Sequence, residues 1–190
     1  MIEVVLSVGT VDLLEKPTDW VWDGGRPSID FVNTLRRKRI APVDTIDGVE
    51  ALHKWLITSG ILKSSTDREP VVAAAIALRH SLDHLFEQRL EFEDISRINT
   101  WAALRPTEAL TADLKIIDSV PTVSMKNALG FIAYDAMLIV KEGLLNRVRE
   151  CGSHDCGLKF LDQSRGGNRQ WCSMRRCGNR AKVSRHRASL

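Results

Sequence analysis

Cys151-Gly-Ser-His-Asp-Cys156 and Cys172-Ser-Met-Arg-Arg-Cys177, two C-x4-C pairs with fifteen residues between them, hold all four cysteines of a 190-residue chain. Zinc takes four soft ligands in a tetrahedron, and two such pinches of the chain present them without a large hydrophobic core. A disulfide framework would spread its cysteines over more of the chain. Four incidental buried thiols would have no reason to fall into two equal pairs beside a Gly-rich turn. Metal ligation is the better reading. His154 lies inside the first pair and could replace a thiolate, and a catalytic zinc would keep an open position. Four thiolates, Cys151, Cys156, Cys172 and Cys177, give instead the closed structural site preferred here.

Between the pairs, Leu158-Lys-Phe160-Leu and Arg169-Gln-Trp171 bracket Ser164-Arg-Gly166-Gly167-Asn168, which predicts a β-hairpin packed through Phe160 and Trp171. Ser173 is placed to cap a helix running to about Arg187. Knuckle, hairpin and helix together predict a treble-clef-like finger.

The charge distribution separates this module from the rest. Residues 151–190 carry nine Lys or Arg against Asp155 and Asp162, a formal +7, which leaves −4 on the remainder of a chain whose total is +3. A slightly acidic body with a basic terminal module is the electrostatic footprint of contact with a polyanion. A hydrophobic content of 44% over 190 residues supports one main core and one satellite. The opening residues lack the pattern of a secretory signal, and Val71 to Leu78, the longest apolar run, is far short of the roughly 20 residues of a membrane span. A cytoplasmic protein with no membrane partner is expected.

Working upstream, Ser124 to Arg149 has apolar residues at helical spacing and predicts a long helix running up to the first cysteine. A second long helix is expected from 67 to about 91, started by the capping-box pattern Thr66-Asp67-Arg68-Glu69. Ile95 to Leu104 reads as a short helix ended by Pro106, and residues 48–59 as an amphipathic helix with Gly60 as its C-terminal cap. Another helix should start at Pro27-Ser28. Glu108–Leu110 with Leu114–Ile117 suggests a weak hairpin, and Val4–Val8 and Trp20–Trp22 suggest short strands. The fold class expected is α+β, a mostly helical body with a small β component, dividing into residues 1–149 and a finger at 150–190.

The C-terminal residues Arg147-Val-Arg-Glu-Cys151, Trp171-Cys-Ser-Met174, Cys177-Gly-Asn-Arg-Ala-Lys182 and Arg185-His-Arg187 resemble the CGNR zinc finger. Asp23-Gly-Gly-Arg-Pro, Asp30-Phe-Val-Asn-Thr34, Trp55-Leu and Gly60-Ile-Leu62 resemble the ABATE domain that precedes such fingers. The resemblance implies a stress-response transcription regulator whose finger binds DNA and whose body senses a ligand. The alternative is a zinc-stabilised module for RNA or protein interaction. DNA, an unidentified small-molecule effector and a second copy of the chain in a homodimer are the partners expected.

On the finger's helix, Arg175, Arg176, Arg180, Lys182, Arg185 and Arg187 are the candidate DNA contacts, with Arg180 also placed to support the zinc loop. Asp30, Asn33 and Arg79 are the candidate ligand-site residues, against the plainer reading that the first two satisfy backbone donors near a helix start. His80 and His84 lie at i, i+4, a metal-compatible spacing that lacks a partner motif, and His53 stands apart. No nucleophile elbow, phosphate loop or carboxylate pair stands out, so an enzyme is not expected.

Overall fold

A computed structural model describes residues 20–63, 66–118 and 124–188. Helices α1 (Pro27–Val32), α2 (Val49–Thr58), α3 (Val72–Phe86), α4 (Phe92–Ala102) and α5 (Met125–Lys141) build the body, and α6 (Asn179–Ala188) lies in the C-terminal module. Three two-stranded antiparallel ribbons accompany them: β1 (Leu35–Arg36) with β2 (Val43–Asp44), β3 (Glu108–Leu110) with β4 (Ile116–Asp118), and β5 (Val148–Glu150) with β6 (Lys159–Leu161). The architecture is the mostly helical α+β one that the apolar spacing predicts.

That spacing is what buries the helices. Leu52, Trp55 and Leu56 of α2, Leu78, Leu82 and Leu85 of α3, and Leu129, Ile132, Ala136 and Ile139 of α5 share one core with Ile29, Phe31 and Val32 of α1. Helix α5 runs through the middle and touches each of α1 to α4. Its N-terminus is capped by Ser124, whose hydroxyl accepts from the Asn127 amide at 3.1 Å. At Gly130 it passes so close to α4 that an added Cβ would lie 2.7 Å from the Arg105 nitrogen and 2.8 Å from the Trp101 carbonyl oxygen.

The helix expected over 67–91 is shorter at both ends. Pro70 steers the residue before it away from helical geometry, so α3 begins only at Val72. Gln88, at φ 56°, ends the helical path after Phe86. The supposed capping box serves another helix: Asp67 accepts from the Glu69 amide at 2.9 Å and from the Met125 amide at 2.8 Å, capping α5 across the fold.

The helix expected to reach Arg149 stops at Lys141. Gly143 takes φ 68°, and the bonds from Gly143 N to the Val140 carbonyl (3.0 Å) and from Leu144 N to the Ile139 carbonyl (2.9 Å) form a Schellman stop. A single 3-10 turn, Leu145–Arg147, then leads into β5. No continuous helix joins the body to Cys151. Trp20–Trp22 is irregular rather than a strand, with Trp22 stacked on Trp55 at 5.4 Å between ring centroids. The strand expected at Val4–Val8 lies outside the described residues.

Replacing Gly130 with Ala should lower stability by about 1–3 kcal/mol, because the new methyl meets backbone that cannot rotate aside. The midpoint of urea unfolding measures it. An unchanged midpoint would mean that α4 and α5 are not packed backbone to backbone.

Candidate metal centre

The first cysteine pair sits at the closed end of the β5–β6 hairpin, where Glu150 pairs with Lys159 and the chain between them forms the knuckle. Inside it, the Cys151 amide donates to the Leu158 carbonyl at 2.8 Å and the Cys156 amide to the Ser153 carbonyl at 3.1 Å. Gly157, at φ 68°, turns the chain back into β6. The hairpin expected between 158–161 and 169–171 does not form, because β5 is the strand that pairs with β6. The intervening loop instead folds around the buried carboxylate of Asp162, which accepts from the Ser164 amide (2.9 Å), the Ser164 hydroxyl (2.6 Å) and the Arg169 amide (2.9 Å). Those bonds, led by the Ser164 hydroxyl, hold Asp162 below the usual carboxylate range.

The loop brings the second pair against the first, with the Gly152 amide bonded to the Gln170 carbonyl at 2.9 Å. After Cys172, a π-helical turn spans Met174–Gly178 and leads into α6. Ser173 starts that turn with its backbone carbonyl, which accepts from the Cys177 and Gly178 amides at 3.0 and 3.1 Å. Its side chain makes no capping bond, unlike the cap expected.

All four cysteines are buried, and their sulfurs lie within 4.8 Å of one another. Cys156 Sγ to Cys172 Sγ and Cys172 Sγ to Cys177 Sγ are each 3.7 Å. A zinc–sulfur bond of about 2.3 Å gives a tetrahedron with an edge of about 3.8 Å, so this spacing fits one zinc ion. Sulfurs this close resist ionising together in the absence of a cation. The hydrogen bond to Cys151 pushes Cys156 up to about 12 and drives Cys172 higher still, while Cys151 falls because its neighbours donate to it. A divalent cation removes that conflict, and two further donors favour thiolate: the Cys172 amide reaches Cys151 Sγ at 3.4 Å and Arg180 Nη2 reaches Cys177 Sγ at 3.5 Å. His154 is exposed and outside the cluster. Val21, Leu158, Phe160 and Trp171 pack around the cysteines as a second, small core.

Asp30, Asn33 and Arg79 are directed to three different partners. Asn33, buried, forms two bonds with the backbone of Lys159 in the finger, each 2.8 Å. Arg79 is clamped by Asp44 (2.7 Å) and Thr34 (2.9 Å) in the body. Asp30 accepts from the Gly24 amide at 2.8 Å. Burial first, and the neighbouring Asp23 and Asp135 after it, raise Asp30 to about 7 against the pull of the Gly24 amide. His84 bonds to Asp94 at 2.8 Å, His80 is exposed, and the four cysteines are the metal-ligand cluster found among the described residues.

The helix-borne cations divide into two groups. Arg180 pairs with Asp155 at 2.9 Å and Arg176 pairs with Asp23 of the body. Arg175, Lys182 and Arg187 are exposed, with no ion pair among the described residues. Of Arg185 only its place in α6 is described. Beside the cysteines lies a cleft of about 300 Å³ whose walls include Arg176 and Arg180 from the finger and Arg36 and Arg37 from the body. Sequence reasoning did not assign these last two. The run Arg36-Arg37-Lys38-Arg39 was the available signal, and the fold sorts it: Lys38 goes to Asp83 (2.7 Å), Arg39 to Glu150 (2.9 Å), and Arg37, at φ 53°, is left at the cleft.

Compared with known families, residues 147–189 match the model of the CGNR zinc finger, and residues 25–137 match the ABATE model, described as "Putative stress-induced transcription regulator". No curated protein matches the chain.

Structural zinc supplies on the order of 10 kcal/mol to small fingers, so the double substitution Cys172→Ser with Cys177→Ser should abolish the bound zinc, one per chain in the parent, and unfold residues 148–188. Metal analysis with hydrogen exchange checks both, and a variant that keeps its zinc and its finger protection would overturn the assignment. At Asp30, an acid raised in the folded state stabilises below its unfolded value, and that contribution is lost as pH climbs from about 4 through about 7. Asp30→Asn keeps an acceptor for Gly24 without the charge. It should therefore be more stable than the parent at pH 8 and similar to it at low pH. Parallel melting-temperature profiles across that range would contradict the shift.

Proposed function

The chain belongs to the ABATE family, whose model is described as "Putative stress-induced transcription regulator", and carries a CGNR zinc finger, and from that premise we propose that it binds duplex DNA through the finger and senses a small molecule through its helical body. The observation that carries the DNA reading is the set of cations, on the turn and helix anchored by the metal centre, that have no carboxylate partner among the described residues. Four thiolates and one zinc contribute about −2, which takes the module's formal +7 to about +5. Arg175, Lys182 and Arg187 spend none of that charge on carboxylates among the described residues, whereas Arg176 and Arg180 serve internal contacts. Cations held on a rigid helix without internal partners suit phosphate contact. Arg37 extends the basic surface from the body, across the cleft. A closed four-thiolate shell offers a substrate no coordination position, which supports a non-enzymatic reading.

The sensory part of the reading rests on how the halves are joined. The finger's Lys159 backbone is held by Asn33, its Leu161 amide donates to the Gly24 carbonyl at 2.8 Å, and Arg176 pairs with Asp23. All three body residues flank or belong to α1. A ligand that favours one placement of α1 over another shifts the finger with it.

The triple variant Arg175→Ala, Lys182→Ala, Arg187→Ala breaks no ion pair among the described residues and should keep its zinc. Its duplex affinity should fall, and the slope of log affinity against log salt should shrink by about 0.9 for each phosphate that the variant no longer neutralises. Arg37→Ala, a change in the body's wall of the cleft, should also reduce the slope. Unchanged affinity and slope in the zinc-loaded triple variant would sink the DNA reading and favour a protein-interaction finger.

A further inference from the structure

A cleft of about 830 Å³ opens on the body between α5, the turn after α2 and the residues after α4, with no cysteine in its lining. Its size falls in the range of roughly 300–1,000 Å³ usual for small-molecule sites. Ile61, Phe131 and Leu138 give it an apolar wall, and Phe131 is 39% exposed although it lies on the central helix. Arg105 crosses the cleft with its guanidinium 4.0 Å above the ring centroid of Tyr134. Among the described residues no carboxylate pairs with Arg105, whose guanidinium makes one hydrogen bond, to the Ala102 carbonyl at 3.3 Å. The Tyr134 hydroxyl has no hydrogen-bond partner among them either. Lys63 stands at the rim.

Asp135, the acidic residue in the lining, is already committed. Its carboxylate accepts from Arg26 at 2.8 Å and from the Ser28 amide and hydroxyl at 2.9 and 2.6 Å. The cleft charge left without a carboxylate partner among the described residues is therefore that of Arg105. A cationic ligand would meet no free acid, and a neutral apolar one would shield the guanidinium from water without replacing its hydrogen bonds, which is costly. An organic anion with an apolar body satisfies both surfaces: its charged group takes the fork of Arg105 and the Tyr134 hydroxyl, and its body covers Phe131, Leu138 and Ile61.

We propose that this cleft binds a small amphipathic carboxylate, anchored by Arg105 and Tyr134. The proposal rests on the sensory reading above and gives it a site, one distinct from Asp30, Asn33 and Arg79. It also supplies a route. Pro27 and Asp135 form part of the lining, and Asp135 holds the start of α1, whose other end is fastened to the finger at Lys159. A ligand pressing on Asp135 acts on the same helix that positions the finger.

Calorimetric titration of the full zinc-loaded chain with 2-naphthoate, and with the uncharged 2-naphthamide, tests the class. Saturable one-to-one binding of the acid is expected, with the amide weaker by roughly tenfold, the size of one charged hydrogen bond. Arg105→Gln should weaken the acid by a similar factor while leaving the amide unchanged, and Phe131→Ala should weaken both. Circular dichroism melts confirm that the variants are folded. No saturable binding to the parent chain, equal binding of acid and amide, or indifference to Arg105→Gln would overturn the site. Duplex affinity measured with and without saturating naphthoate separates the two levels: a change supports site and sensor together, whereas bound naphthoate with unchanged duplex affinity leaves the site standing and ends the sensory reading.

Discussion

Four sulfurs within 4.8 Å of one another can all be thiolate only around a divalent cation, and the chain from Val148 to Ala188 is arranged to meet that condition. The β5–β6 hairpin presents the first pair, the loop folded around Asp162 returns the chain, and the π-helical turn after Cys172 presents the second. Within the module little else could hold this segment. Its apolar core beyond the cysteines is Leu158, Phe160, Trp171 and the borrowed Val21, too small to offset the entropy of ordering some forty residues. The metal therefore sets the position of α6 and of every cation on it.

The finger is nonetheless not an independent appendage. Val21 from the body packs in the finger's core, and Leu161 from the finger packs in the body's. Lys159, 4% exposed, lies at 2.9 Å from Glu87 and 3.2 Å from Asp83 of α3. Burial opposes its charge, but the two carboxylates outweigh it and raise its pKa. Burial opposes the charge of Glu87 as well, yet its bonds to Arg89 and Lys159 hold it down at about 2. A buried ion cluster of this kind is expensive to break by removing one partner, so it fixes the register between halves more than it adds stability. Body and finger are joined through these contacts and through Asn33 at the end of α1.

What could be read beforehand follows from how local each signal is. Two C-x4-C pairs with a Gly-rich loop between them state their chemistry within a few residues, and helical spacing marks α2, α4 and α5 because each buries one continuous face. Helix ends were harder. Pro70 and Gly143 impose the backbone constraints that bound α3 and α5, but the apolar pattern runs on past both, so spacing alone overstates the helices. Strand pairing in the finger could not be chosen from sequence, since 148–150 and 169–171 are both adjacent to β6 in the chain's path, and only the fold of the Asp162 loop decides between them. The long-range roles of Asp67, Asn33 and Asp135 depend on where distant backbone donors arrive, which no local pattern encodes. Arg37 and the cleft around Arg105 belong to the same class: their meaning comes from partners that the fold withholds.

The central claim is that the zinc-ordered helix reads duplex DNA. Selection of bound fragments from a random duplex pool by the full chain, once with zinc and once after chelation, tests it most directly. The account predicts enrichment of a common sequence with zinc loaded and its loss on chelation. A pool that stays unenriched with zinc bound, or enrichment that survives removal of the metal, would contradict it.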